Sequence, residues 1–237
     1  MIDLGFLEQD LKKNDFIYIS GTRLIDLFKL DEQEIAHLKS FWFNLEKDNY
    51  MADNGTYRFR RYSQFNIDLE NNELELLPHA AYEQPTYINP LNGGILRYYL
   101  PLEDAFIKNS FINNLLIELA NLLGRIDHIK YWNIKLHPYR ITCSSDFEGY
   151  PTPEGLHRDG VNYITTLLID RFNIIGGETT ITDNQKFPIY KRQLLDSFDM
   201  LLANDTKTMH EVSPIKTLHP QQAAWRDVLV IAFSHLQ

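Results

Sequence analysis

The chain of 237 residues is acidic, with a net charge of −9, and 44% of its residues are hydrophobic. This charge and the lack of any Lys/Arg-rich tract exclude a nucleic-acid partner, because phosphate contacts require clustered cations. The single cysteine, Cys143, excludes an intramolecular disulfide, a zinc finger and an iron–sulfur cluster framework.

The start of the chain and its hydropathy give no sign of export or of membrane insertion. Residues 1–10 lack the basic and apolar blocks of a secretory signal peptide. No apolar run approaches the ~20 residues that a membrane-spanning helix requires. We therefore expect a cytoplasmic protein without a membrane partner, and the sequence does not predict its oligomeric state.

The first 130 residues predict a mixed α/β region. A short strand is predicted over 15–19, and a helix over 32–46 begins at a capping box formed by Asp31 and Glu34. Alternating aromatic and polar residues predict a strand over 57–67. Turns are expected at 71–72 and 89–94, and a second helix over 104–123 would end at Gly124.

From residue 131 the pattern changes to strands without intervening helices. The predicted strands span 131–143, 161–169, 178–182, 198–203, 211–215 and 228–234. Many short strands separated by turns favour a sandwich or barrel of the jelly-roll type. The predicted fold is mainly β with flanking helices around a double-stranded β-helix (jelly-roll, cupin-like) core. We expect a single domain, 1–237, in which residues 1–130 pack on the jelly-roll core of 131–237 that carries a metal site.

Two histidines and an aspartate suggest a metal site. His157 and Asp159 are two residues apart, so on an extended segment their side chains project to the same side. His210, before a later strand, would complete a face of two imidazoles and one carboxylate. This ligand set leaves three positions open and is typical of non-haem Fe(II) oxygenases. The alternative for each residue is an ordinary polar turn beside a buried strand.

Two further residues are buried or charged candidates, and only Arg226 has both a functional and a structural interpretation. Arg226 begins the last predicted strand, where a chelating 2-oxo acid would need a cation for its far carboxylate. The alternative is an ion-pair arginine beside Asp227. His137 lies on the first strand of the predicted barrel and is interpreted as a hydrogen-bonded core histidine.

Four segments of the sequence resemble one known family. These are 155–159, which contains the His-x-Asp pair, 176–179 with its Gly-Gly turn, 209–215 around His210, and 225–234 around Arg226. They resemble the bacterial Fe(II)/2-oxoglutarate-dependent dioxygenases that hydroxylate free L-amino acids, of the L-isoleucine dioxygenase-like group. The resemblance covers the C-terminal half well and the N-terminal half loosely.

The resemblance implies a cofactor set and a reaction. His157, Asp159 and His210 would bind Fe(II) and so be the catalytic residues, and Arg226 would hold the distal carboxylate of 2-oxoglutarate. O2 would be the second co-substrate, with ascorbate as a reductant. The reaction would hydroxylate an unactivated C–H of an aliphatic, Ile/Leu/Met-like amino acid and release succinate and CO2.

Substrate-binding residues are predicted less directly. Arg61 or Arg140 would take the substrate carboxylate, Asp227 its ammonium group, and Tyr62 would line an apolar slot. Two alternatives remain open. The same chemistry could act on a peptide, a carrier-bound amino acid or another small metabolite, or the chain could be a non-enzymatic cupin-like binding module.

Overall fold

A nine-stranded antiparallel sheet organises the fold of the computed structural model, which describes residues 3–88 and 93–236. The strands of the described residues are β1 Phe16–Ile19, β2 Glu46–Lys47, β3 Arg58–Arg60, β4 Ser63–Asp68, β5 Glu73–Leu76, β6 Tyr131–Cys143, β7 Tyr163–Phe172, β8 Ile174–Gly176, β9 Glu178–Thr182, β10 Pro188–Gln193, β11 Met200–Asn204, β12 Met209–Val212, β13 Ile215–Thr217 and β14 Ala224–His235. The helices are α1 Glu8–Asn14, α2 Gly21–Phe28, α3 Glu32–Ser40, α4 Asp104–Ile107 and α5 Ser110–Asp127, with 3-10 turns at Gly5–Leu7 and Phe41–Asn44.

The strands form a double-stranded β-helix, as the sequence predicts. The large sheet has the order β1-β11-β7-β14-β6-β3-β2, and β4 and β5 extend it beside β6. A three-stranded sheet, β10-β9-β12, faces it, and β8 pairs with β13 at one end. The N-terminal region supplies β1, β3 and β4 to the same sheet as the C-terminal strands.

The two faces of the large sheet pack against different parts of the molecule. On β14, Leu229, Ile231 and Phe233 are fully buried in the apolar cluster that contains α5. The intervening residues of β14 point the other way, where Val228 and Ala232 pack toward Ile181 of the facing sheet. Side chains alternate along a strand, so one face binds the helices and the other lines the interior between the sheets.

Several predicted elements differ from the structure in their bounds. The helix predicted over 32–46 ends at Ser40 and tightens into a 3-10 turn, where the Trp42 indole donates to the carbonyl of Tyr139 on β6 (3.0 Å). The strand predicted over 57–67 is split between β3 and β4. The register places Arg61 opposite Pro138, which has no N–H to donate to the ladder.

The second predicted helix, over 104–123, is divided into two helices in the structure. Asn109 caps α5 by accepting a hydrogen bond from the Ile112 N–H (3.1 Å), which separates α5 from the single turn of α4. Helix α5 continues past Gly124 to Asp127 and ends at His128, whose φ is +58°. The turn at 71–72 is present between β4 and β5, whereas residues 89–92 of the other predicted turn lie outside the described residues.

The portion of the chain that the structure describes contains no helix that is both long and apolar enough to cross a membrane.

Candidate metal centre and its cavity

The structure brings His157, Asp159 and His210 together from two distant segments. One ligand atom from each residue lies within 4.8 Å of the other two. His157 sits in the loop between β6 and β7 and forms a bridge with His210 of β12 through two backbone hydrogen bonds of 3.0 and 2.9 Å. The His210 Nε2 is 3.4 Å from an Asp159 carboxylate oxygen. The arrangement offers two imidazoles and one carboxylate to a single cation.

The two imidazoles of the triad differ in their protonation equilibria. His157 Nδ1 donates to the Gly155 carbonyl (2.9 Å), which can only accept, so Nε2 carries the lone pair when the ring is neutral. Burial and the neighbouring His157 lower the pKa of His210 to about 3, so His210 is neutral at neutral pH. For His157, burial opposes protonation, but the carboxylates of Asp159 and Glu154 raise its pKa.

A buried carboxylate next to strand β11 holds the loop that carries Asp159. Asp205 is 1% exposed and accepts hydrogen bonds from three successive backbone N–H groups, those of Asp159 (3.1 Å), Gly160 (2.8 Å) and Val161 (3.1 Å). Gly160 has a φ of +76°, and a Cβ there would lie 2.8 Å from Ile88. The sequence analysis missed Asp205, because Asn-Asp-Thr after a strand has the composition of an ordinary turn.

Arg226 points into the same interior from β14 and has an unsatisfied donor edge. It is 2% exposed, and neither its Nε nor its Nη2 has a hydrogen-bond partner among the described residues. Burial and the nearby Arg171 lower its pKa to about 10, which leaves it cationic at neutral pH. Gly177 approaches the side chain so closely that a Cβ there would lie 3.3 Å from the Arg226 Cδ. Two parallel buried N–H donors on a cation fit a carboxylate.

The triad and Arg226 line one cavity of about 150 Å³ between the sheets. Its apolar wall comes from both sheets and the loop before β7: Val161, Ile164, Val212, Val228, Val230 and Ala232. Its polar wall includes Lys135 and His137 of β6 and, on loops, Glu83 and Glu154. The Glu154 carboxylate lies 3.5 Å from the His157 Nε2. The cavity therefore combines a metal-ligand set with charges of both signs and an aliphatic surface.

Two of the residues predicted to bind substrate bind each other instead. Arg140 donates to both carboxylate oxygens of Asp227, at 2.7 and 2.6 Å. Both lie on the face of the large sheet opposite the cavity, because their strand neighbours Ile141 and Arg226 point into it. The Arg140 guanidinium is further covered by the ring of Trp225 at 5.2 Å. Arg140 and Asp227, which the sequence predicts to contact the substrate, therefore do not line the cavity.

The other two predicted substrate residues also lie outside the cavity lining. Arg61 donates to the carbonyls of Asn44 (3.0 Å) and Pro101 (2.9 Å) on the outer side. Tyr62 is 1% exposed and stacks on His137 with the ring centroids 4.8 Å apart, so it packs behind the cavity wall. The sequence analysis selected Arg61 as a candidate for the substrate carboxylate. In the structure its neighbour Arg60 is the arginine that turns inward and is fully buried.

Comparison with known proteins identifies relatives over nearly the whole chain. The family model of the 2OG-Fe dioxygenases matches residues 39–232. A 3(1)-hydroxy-L-isoleucine 4-dioxygenase of Pantoea ananatis is 28% identical over 204 residues, which cover 84% of this chain and 81% of the relative. An L-isoleucine-4-hydroxylase of Bacillus thuringiensis is 27% identical over 233 residues, covering 95% and 93%. The crystal structure of a bsmA homolog from Methylobium petroleophilum PM1 superposes with a TM-score of 0.90 at 31% identity, covering 98% and 93%.

Proposed function

The chain belongs to the 2OG-Fe dioxygenase family, and from this premise we propose that it hydroxylates an unactivated C–H of a free, aliphatic L-amino acid. Its cofactor is Fe(II) and its co-substrates are 2-oxoglutarate and O2. The observation that carries the proposal is one cavity that combines the His157, Asp159 and His210 triad, the unsatisfied Arg226 and an aliphatic wall.

The donor set fits the metal that the family uses. In the proposal, His157 Nε2, His210 and the Asp159 carboxylate hold Fe(II), which accepts imidazole nitrogen and carboxylate oxygen. Three protein ligands would leave open positions on the metal for the co-substrates. The hydrogen bond from His157 Nδ1 to the Gly155 carbonyl fixes the ring in the tautomer that ligation needs.

The orphaned guanidinium edge fits 2-oxoglutarate. Arg226 would receive the carboxylate farthest from the metal, because it lines the cavity and its Nε and Nη2 have no acceptor in the described portion of the chain. When bound, Fe(II) and 2-oxoglutarate supply the oxidation: one oxygen atom of O2 enters the substrate C–H bond and the other enters succinate, with loss of CO2.

The protein side chains orient the substrate and keep out water. Aliphatic residues such as Val230 and Ile164 line the cavity and offer an apolar surface to an aliphatic side chain. Lys135 lines one section of the wall, and the acidic Glu83 and Glu154 line others, so a zwitterion finds charges of both signs. No residue is required as a general base, because the chemistry needs a held substrate carbon rather than a removed proton.

Two curated relatives support the substrate class. Their names assign them activity on L-isoleucine and on a hydroxylated L-isoleucine, both aliphatic amino acids. Their alignments cover 84% and 95% of this chain. We also propose a cytoplasmic location, supported by the single buried cysteine, Cys143, which needs no oxidising compartment.

The proposal is tested by succinate formation with anaerobically purified protein, Fe(II), ascorbate, 2-oxoglutarate and air. The twenty amino acids are added in pools and then singly, with the Asp159→Ala variant as the metal-site control. We expect an Ile, Leu or Met pool to raise succinate formation by about tenfold or more, and a product heavier by one oxygen atom. Basal succinate that no amino acid stimulates would reject the free amino acid in favour of a tethered or unrelated substrate.

A further inference from the structure

We propose that Lys135 and His137 of β6 form the subsite that binds the α-carboxylate of the amino-acid substrate. This inference rests on the proposed function and names which residues select its substrate. The two residues lie two positions apart on one strand and both line the cavity. Neither was assigned a substrate role from the sequence.

Lys135 is a cation without a counter-charge. Its ammonium group makes no hydrogen bond or ion pair with any of the described residues, and its nearest recorded partner is the face of Tyr82, 5.9 Å from Nζ. Burial alone lowers its pKa, with no carboxylate acting against it. The strand neighbours Ile134 and Leu136 are fully buried on the other face, which commits Lys135 to the cavity side. A partly buried ammonium of this kind is stabilised by an anion placed against it.

His137 presents a single, fixed donor. Its Nδ1 faces the Nη2 of Arg60, and a guanidinium only donates, so Nδ1 must be the acceptor. Burial and the cation Arg60 hold the pKa of His137 well below its usual value, so the ring is neutral. A neutral imidazole with an unprotonated Nδ1 carries its proton on Nε2. None of the described residues accepts a hydrogen bond from that Nε2–H, and His137 lines the cavity.

Arg60 is the positioning residue that fixes this tautomer. Its guanidinium lies 3.9 Å from the Tyr99 ring centroid and 4.4 Å from that of Tyr139, and one of its Nη atoms is 3.8 Å from the Asp48 carboxylate. With 2% of its surface exposed, it has no freedom to rotate away. The buried Arg60 therefore acts on the substrate through His137 and does not itself line the cavity.

The two donors lie beside the same tyrosine ring, and their strand positions separate them from the proposed 2-oxoglutarate position. The Tyr82 ring centroid is 4.7 Å from that of His137 and 5.9 Å from the Lys135 Nζ. In the β6–β14 ladder, Lys135 pairs with Ala232, whereas Arg226 pairs with Ile141 six positions along β6. At about 3.4 Å per residue, this separation is roughly 20 Å along the strand. The proposed α-carboxylate subsite and Arg226 are therefore separated along the sheet that lines the cavity.

The kinetic test compares acids with their amides. L-Isoleucine, L-leucine and L-methionine are assayed beside their primary amides, which lack the α-carboxylate, in the wild type, in Lys135→Met and in the control Lys191→Met. Lys191 is an exposed lysine of β10. We expect Lys135→Met to raise the KM of the amino acid by about 10- to 100-fold, with an unchanged KM for 2-oxoglutarate and little effect on the amide. Equal losses for acid and amide would overturn the subsite.

Substitutions of His137 separate the donor from the shape of the ring. Gln keeps an N–H at a similar reach, whereas Leu keeps only apolar volume. We expect His137→Leu to raise the KM of the amino acid by about tenfold and His137→Gln by several-fold less. An equal rise in both variants, or a rise that appears equally in the KM for 2-oxoglutarate, would assign His137 a purely structural role.

A binding measurement keeps the inference testable without turnover. Imidazole 15N signals of the metal-free protein, assigned with His137→Gln, report the His137 tautomer directly. We expect an Nε2–H tautomer, perturbed by L-isoleucine, less by isoleucinamide, and not by L-isoleucine in Lys135→Met. Turnover of L-isoleucine without these changes would overturn the subsite and leave the proposed function standing. Neither turnover nor perturbation by any amino acid would overturn both.

Discussion

At the scale of single residues, the site contains charged groups that have no hydrogen-bond partner or counter-charge among the described residues. Arg226 is a buried cation with two free N–H donors, and Lys135 is an ammonium with no counter-charge in the described portion of the chain. Buried polar groups in folded proteins are nearly always satisfied. Cations without a partner that line one cavity therefore indicate that the molecules binding there carry negative charges.

The role of Arg226 gives a selective prediction. Arg226→Met should raise the KM for 2-oxoglutarate by roughly 30-fold or more, because truncating one partner of a buried charged pair costs about 2–5 kcal/mol. The KM of the amino acid should change little, since Lys135 and His137 lie four to six positions along β6 from Ile141, the ladder partner of Arg226. Steady-state succinate assays with each substrate varied in turn measure both constants. Equal increases in both would remove Arg226 from the co-substrate site.

Asp205 should set the affinity for the metal without touching it. Asp205→Ala removes the acceptor of three backbone N–H groups next to Asp159 and should weaken Mn(II) binding by about tenfold or more. Asp205→Asn keeps one acceptor oxygen and should recover some of that loss. Mn(II) titration followed by electron paramagnetic resonance measures both variants. Loss of thermal stability with unchanged Mn(II) affinity would make Asp205 a purely structural residue.

The portions of the site that sequence could predict are those with a local signature. His157 and Asp159 are two residues apart before a predicted strand, a spacing that becomes informative only together with His210 and Arg226, and the structure places both beside His210. The inward face of β6 has no such signature. Arg140 and Lys135 are both cations in an alternating strand, and only the packing of the sheet decides that Lys135 faces the cavity while Arg140 faces Asp227.

At the scale of elements, turn geometry fixes where the strands deliver their side chains. Gly176 and Gly177 connect β8 to β9 with φ values of +82° and +75°. A Cβ at Gly176 would lie 2.1 Å from the Pro214 carbonyl oxygen. The segment that leads into β13 can therefore pack this closely only against a glycine. The same turn brings Gly177 against Arg226.

Gly176→Ala should therefore destabilise the fold. The positive φ costs about 1–3 kcal/mol and the overlap with backbone adds to it, so we expect Tm to fall by several degrees. Gly155→Ala is a matched control, because Gly155 has a φ of +73° but a Cβ there would meet no atom within 4 Å. Thermal denaturation of both variants should give the smaller loss for Gly155→Ala. Equal losses would show that backbone strain alone, and not the contact with Pro214, decides.

Element boundaries were the least predictable aspect of the fold. The jelly-roll class followed from the succession of short strands, and β6 matches the predicted strand over 131–143. The split between β3 and β4 depends on Pro138 of a partner strand distant in sequence, which no local pattern contains. The break between α4 and α5 depends on Asn109, whose capping role competes with a continuous apolar stripe.

At the scale of the whole molecule, one sheet serves two purposes. Its outer face buries the helices and supplies the larger apolar cluster, with residues such as Leu229 and Ile231. Its inner face lines the cavity with the alternate residues of the same strands, such as Val228 and Val230. The rigid outer packing therefore positions the groups of the inner face.

Ligands that bind only the folded state should raise its stability. At 100 times its dissociation constant, a ligand adds about 2.7 kcal/mol, which at this size corresponds to roughly 5–10 °C in Tm. We expect Mn(II) to raise the Tm of the wild type, and 2-oxoglutarate with Mn(II) to raise it further. Asp159→Ala should lose most of both shifts, and Arg226→Met only the second. A full Mn(II) shift in Asp159→Ala would remove Asp159 from the metal site.

The central claim is that this chain couples decarboxylation of 2-oxoglutarate to hydroxylation of a free aliphatic amino acid. Reaction under 18O2 in ordinary water tests it most directly, with mass spectrometry of both products. We expect one 18O atom in the hydroxylated amino acid and one in succinate, formed in equal amounts. An unlabelled hydroxyl group, or labelled succinate that forms at the same rate without any amino-acid product, would contradict it.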